Sequence, residues 1–182
     1  VKAAYEEAKA IIDGVKTADE LKAAKEAVEK QIAALPYTSK LTEADKAAVK
    51  AAYDAYAAYK NMPGATEVSN KALLQEKYNK VNELAAKTID GKAKALNKQL
   101  KDLTGSDADV AAKAALKAEA DAVKAEAKAL RNEVEDVNED NDKFLTAVSM
   151  GEVDKLADVD FAEAVADDAY IKLVKAAKEG AT

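Results

Sequence analysis

From Leu116 to Val148 the positions Leu116, Ala120, Val123, Ala127, Leu130, Val134, Val137, Asn141, Phe144 and Val148 recur in alternating steps of four and three, and all but Asn141 are apolar. Such a heptad seam keeps one narrow stripe of an α-helix turned toward a partner. A strand, whose side chains alternate with period two, would scatter the same residues over both faces. No strand-like alternation occurs anywhere in the chain. At a rise of about 1.5 Å per residue, a helix from Asp107 to Val148 would extend roughly 60 Å. The sequence therefore predicts an all-α fold of elongated antiparallel helical bundles with long coiled-coil-like helices. Asn141 falls on the seam, where an amide either fixes register or marks fraying.

Shorter stripes precede and follow this one. Ala4, Tyr5, Ala8, Ile11 and Ile12 share one side of a helix expected over Val1 to Asp13, which stops near Gly14. Thr17 and Glu20 have the spacing of a capping box, in which each residue satisfies an orphan amide at a helix start. The helix they open carries Leu21, Ala24, Val28, Ile32 and Leu35 and stops at Pro36. Thr42 and Asp45 repeat the cap for a third helix, expected to reach about Asn61, with Val49, Ala52, Tyr53, Tyr56 and Tyr59 on one face. A fourth is predicted over Glu67 to Leu103, where Gly91 would bend or divide it. The run "TGSDAD", with Gly105 closing one helix and Ser106 and Asp109 opening the next, divides the chain into bundles of residues 1–103 and 104–182. An acidic connector after Met150 and Gly151 leads to a last helix from about Phe161 to Glu179, its inner face formed by Ala162, Val165, Ala169, Leu173 and Ala176.

Composition narrows the function. At 182 residues the chain can form one large or two small domains. Hydrophobic residues make up 49%, but only 5% are aromatic and much of the remainder is alanine, so the core should be thin. Histidine and cysteine are both absent, which removes the usual zinc ligands, thiol nucleophiles, disulfides and the side chain best suited to proton transfer near neutrality. The expectation is a non-catalytic protein with no cofactor. No run approaches the roughly 18 apolar residues of a membrane span. A start at Val1 rather than Met suggests an excised domain or a processed product.

Two features could carry interactions. Residues 133–170 hold thirteen acids against Lys143 and Lys155, a net charge of −11 in a chain whose total is −6. Residues 171–182 add +2, which leaves the first 132 residues at +3. This polarity nominates Glu133, Asp136, Glu139, Asp140 and Asp142 as an interaction surface for a cationic partner or another copy's basic flank. Tyr53, Tyr56 and Tyr59 are the second candidate, if their rings reach solvent; their helical spacing favours the core instead. "DVNEDND", residues 136–142, is a poor calcium loop, because Asn141 replaces the glycine and Ala147 the bidentate glutamate. Nucleic acid is disfavoured for want of a basic stripe with interleaved aromatics. Lipid association is a third reading, disfavoured by narrow, alanine-rich apolar faces.

The run "IAALPYTSKLTEADKAAVKAAYDAY", continued by "VSNKALLQEKYNKVNEL", resembles helical modules of surface-anchored and S-layer-associated proteins of Gram-positive bacteria. The residues that carry the resemblance are Ile32, Leu35, Pro36, Leu41, Thr42, Asp45, Lys46, Val49, Tyr53, Val68, Asn70 and Leu74, within about residues 18–88. The loop "KNMPGATE" departs from the aspartate- and glutamine-rich turn of those modules. The resemblance implies an extracellular, non-catalytic module that spaces, anchors or assembles, with a protein partner, self-association or a cell-wall polymer as its contact. An adhesin-type binding module is the alternative.

Overall fold

The computed structural model describes Lys2, Tyr5 and residues 16–103, 107–141, 143–157 and 162–180, with the backbone alone at 107–109, 141, 157 and 162–168. Among these residues the fold is all-α: α1 (Ala18–Ala34), two 3-10 turns (Thr38–Lys40 and Glu43–Asp45), α2 (Lys46–Lys60), α3 (Lys71–Lys101), α4 (Asp107–Asn141), α5 (Gly151–Ala157) and α6 (Ala162–Glu179). Of the helix expected over Val1 to Asp13 only Lys2 and Tyr5 are among the described residues; the caps expected at Gly105 and Ser106 lie outside them, as does the side chain of Asp109. The chain forms two compact units, residues 1–82 and 83–182, whereas the sequence suggested a division near Thr104. The first turns of α3 belong to the first unit and the remainder to the second.

In the first unit both capping boxes form. Thr17 Oγ1 accepts from the Glu20 amide at 3.3 Å, and a Glu20 carboxylate oxygen accepts from the Thr17 amide at 2.8 Å. Asp45 Oδ2 accepts from the Thr42 amide at 2.8 Å, here on a 3-10 turn that runs directly into α2. Helix α1 packs on α2. Val28 and Ile32 of α1, Val49 and Ala52 of α2, and Leu74 and Val81 of α3 are buried. Tyr53 stacks on Tyr78 with ring centroids 5.3 Å apart and planes 19° apart. Those rings supply the bulk that the alanines around them lack.

In the second unit Ala85, Ala86, Ile89, Ala93 and Leu96 of α3 meet Ala120, Val123, Ala127 and Leu130 of α4, and Met150, Val153 and Leu156 close the core. Gly91 does not divide α3, and a methyl group placed there would meet open space.

Three expectations are corrected here. Helix α4 ends at Asn141, seven residues before Val148, so Phe144 and Leu145 reach the interior from a loop. The exit is built by Asn138, whose Oδ1 accepts from the Leu145 amide at 2.6 Å while its Nδ2 donates to the Leu145 carbonyl at 3.0 Å. Lys143 turns the chain with a left-handed φ of 64°. The stretch expected to be a bare acidic connector contains α5, because Val153 and Leu156 give it a buried side. Finally, α6 packs along α4 with Ile171 and Val174 partly buried, and leaves Ala169, Leu173 and Ala176, part of its expected inner face, exposed. Ile171 and Val174 lie roughly opposite those three on a helix and offer more area per residue than alanine does.

Candidate functional site

The last turns of α4 bring most of the nominated acids together. Asp136, Glu139 and Asp140 are exposed, Glu133 is half-buried, and Asp142 lies outside the described residues. Glu135, exposed on the same turns, adds to them. The C-terminal end of a helix carries a partial negative charge, and its last turn here contains no basic residue. Helix α4 thus ends with its charges arranged against its own dipole. Glu135 and Glu139 are also four apart, where like charges repel by a few tenths of a kcal/mol.

Beside these acids lies an open groove of about 570 Å³ between α4 and the loop that follows it. Val134, Ala147 and Val148 provide its apolar surface, and Arg131, Glu135 and Glu139 its charged edge. Arg131 also pairs with Asp154 at 2.7 Å, which ties the groove's upper end to α5. Among the described residues no three carboxylates gather closely enough to hold a metal ion. Asp136, Asn138 and Asp140 do not form a calcium loop: all three are in α4, and Asn138 is committed to Leu145.

The tyrosine stripe is interior. Tyr53 and Tyr56 are each 4% exposed and Tyr59 2%, so none presents a ring face to a partner. The Tyr59 hydroxyl bonds the Thr66 hydroxyl at 3.3 Å and accepts from the Thr66 amide at 2.9 Å, and these two bonds, the hydroxyl one first, hold it below the ordinary tyrosine range. It fastens the loop around Gly64, which needs its glycine for a φ of 84°.

The polar residues that most shape the fold are ones the sequence did not single out. Glu29 of α1 accepts from the Ser69 amide at 2.9 Å, just before α3, which holds its carboxyl below the ordinary glutamate range. Lys77 of α3, almost wholly buried, donates to the carbonyls of Leu35 and Pro36 where α1 ends. Asp90 of α3 accepts from the amides of Glu152 at 2.7 Å and Val153 at 3.2 Å, at the start of α5. Asn97 donates to the Glu152 carbonyl at 2.8 Å. In each unit, then, α3 or α1 supplies the missing partners at the end of another helix. One signal in the sequence could have found two of them. Lys77 stands between Leu74 and Val81, and Asp90 between Ala86 and Ala93, each at helical spacing on an apolar stripe.

No helix among the described residues is long and apolar enough to cross a membrane. No protein-family model matches the chain, and neither a curated protein nor a solved structure shows significant similarity to it.

Proposed function

We propose that the chain is a non-catalytic assembly or spacer module of a bacterial cell-surface, S-layer-like protein, and that the acidic end of α4 is its contact for a basic surface. The observation that carries the contact is the accumulation of acids at the negative end of the α4 dipole, next to a groove with an apolar surface. A cationic partner there would relieve both the dipole conflict and the repulsion among the acids. The extracellular, surface-layer setting rests on the resemblance over residues 18–88 alone. With its first 132 residues at +3, a second copy offers a basic flank. An acidic end against a different, basic patch is a head-to-tail contact, which propagates rather than closes.

Sedimentation velocity across concentration, at low and high salt and with calcium or chelator, tests the proposal. We expect species larger than a dimer that dissociate in high salt and are lost when Asp136→Lys is combined with Asp140→Lys. Assembly indifferent to salt and unchanged in that variant would overturn the electrostatic contact.

A further inference from the structure

We infer that the groove at the end of α4 receives the turn around Tyr37 of a second copy, a basic segment that carries an exposed ring. The inference rests on the acidic contact proposed above and names the surface which that contact engages. Tyr37 is 78% exposed, more than any other large apolar side chain among the described residues. One exposed apolar side chain is ordinary on a protein surface. Tyr37 does not stand alone, because Ala33 and Ala34 at the end of α1 and Pro36 beside it are exposed too. Residues 30–42 contain Lys30 and Lys40, both exposed, and no acid. The turn is also held in place. Lys77 donates to the carbonyls of Leu35 and Pro36, immediately before Tyr37. The Lys40 amide donates to the Tyr37 carbonyl at 2.8 Å, and Leu41 anchors the far side of the turn in the core. A ring presented from a fixed backbone loses little freedom on docking, which suits tyrosine to anchor a protein contact.

The groove has the complementary properties. Val134, Ala147 and Val148 give it an apolar surface, Glu135 and Glu139 line it, and Asp136 and Asp140 are exposed on the same turns. Arg131, also at its edge, is paired with Asp154. Its volume of about 570 Å³ lies in the range of sites that enclose drug-sized ligands, enough for the Tyr37 ring and Pro36 together. The Tyr37 hydroxyl then donates to a carboxylate at the rim, and Lys40 lies against the acids that crowd the negative end of the α4 dipole. A wholly polar basic segment would neutralise those acids but leave the apolar surface wet. An uncharged apolar segment would do the reverse. The Tyr37 turn supplies both requirements from within eight residues of one chain, 33–40.

The test uses the full chain, whose lack of cysteine lets single thiols be placed cleanly. Ser39→Cys chains are mixed with Ala147→Cys chains, both positions being exposed, and treated with a short bismaleimide. We expect a crossed dimer that joins the two variants and is lost in high salt, while neither variant alone links to itself. In sedimentation velocity Tyr37→Ser should weaken association about tenfold or more, and Tyr37→Phe, which keeps the ring, should weaken it less. Because Tyr37 is in solvent, both variants should match the wild type in helicity and melting temperature, and circular dichroism checks this. Assembly unchanged in Tyr37→Ser but lost when Asp136→Lys is combined with Asp140→Lys would overturn the inference and leave the acidic contact standing, with a different basic face as its occupant. Weakening by Tyr37→Ser with no effect of the paired aspartate changes would place the ring against another surface, which also overturns it. Linking of like chains in place of the crossed dimer would count against it in the same way. A wild type that stays monomeric at every attainable concentration, or assembly indifferent to both sets of changes, would sink this inference and the acidic contact together.

Discussion

The ammonium of Lys77 donates to the carbonyl of Leu35 at 2.9 Å, so a charge that is almost wholly buried in α3 closes the end of α1. Burial pushes this ammonium below the ordinary lysine range, with Glu76 acting weakly in the opposite direction. A depressed lysine pKa means that, between the folded value and the unfolded one near 10.5, the unfolded chain binds more protons. Stability should therefore rise with pH through that window. Lys77→Met removes the titration, so the stability of the wild type relative to Lys77→Met should increase as pH approaches 10.5. Chemical denaturation of both proteins from neutral to alkaline pH measures it. A constant difference would mean that the charged ammonium is not penalised by burial. At neutral pH, Lys77→Ala should destabilise by about 1–3 kcal/mol, because the Leu35 and Pro36 carbonyls lose their donor.

Asp90 and Gly91 are neighbours with opposite expected effects. Asp90→Ala removes the acceptor for the first amides of α5 and should cost about 1 kcal/mol, as loss of a helix cap does. Hydrogen exchange should quicken first in residues 151–157. Gly91→Ala, in exposed helix with open space around the new methyl group, should stabilise by about 0.5–1 kcal/mol. If Asp90→Ala left exchange in α5 unaltered, the Asp90 cap would be dispensable.

Leu130 is buried in the core of the second unit, and Leu130→Ala should cost about 2–5 kcal/mol. Leu130→Asp, which places an unpaired charge there, should unfold that unit. Retained helicity and an unshifted melting temperature in Leu130→Asp would show that the α4 seam is assigned to the wrong face.

Acid should weaken the first unit through three carboxylates. The amide bonds from Thr17, Ser69 and Thr42 hold Glu20, Glu29 and Asp45 below their ordinary values. Depressed folded values contribute stability that is present above the unfolded pKa and is lost as pH falls through the folded one. Stability should thus decline as pH drops below about 4.5, and Glu29→Gln should flatten part of that decline. An identical acid profile in Glu29→Gln would remove the Glu29–Ser69 bond from the account.

Much of this architecture can be read from residue spacing. The stripes containing Val28 and Ile32, Val49 and Tyr53, Leu74 and Val81, and Val123 and Leu130 are buried as their periodicity predicts, and the Thr17 and Thr42 boxes form where the residue types suggest. Periodicity misled in two places, for different physical reasons. Phe144 continues the α4 heptad but reaches the interior from a loop, because a pattern of apolar residues cannot distinguish a helix from a loop that buries the same side chains. In α6 the alanine-rich stripe through Ala169 and Ala176 looks more regular than the pair Ile171 and Val174, yet those two are the partly buried ones. Regularity counts residues, whereas packing weighs area. Of the proposed contact, the acids were legible as a charge imbalance. The groove beside them was not, since Ala147 and Val148 reach Val134 only because Asn138 ends the helix where it does.

The chain contains seven tyrosines and no tryptophan. Tyr53, Tyr56, Tyr59 and Tyr78 are buried in the first unit, while the second holds only Tyr170, which is in water. The protein therefore carries a built-in optical reporter confined to one half. The tyrosine band of near-ultraviolet dichroism, which comes from rings held in fixed packing, follows the melting of residues 1–82, whereas the far-ultraviolet amide signal follows both halves. Superimposed curves from the two probes would identify a single cooperative transition, and separated curves would resolve two, without any introduced label.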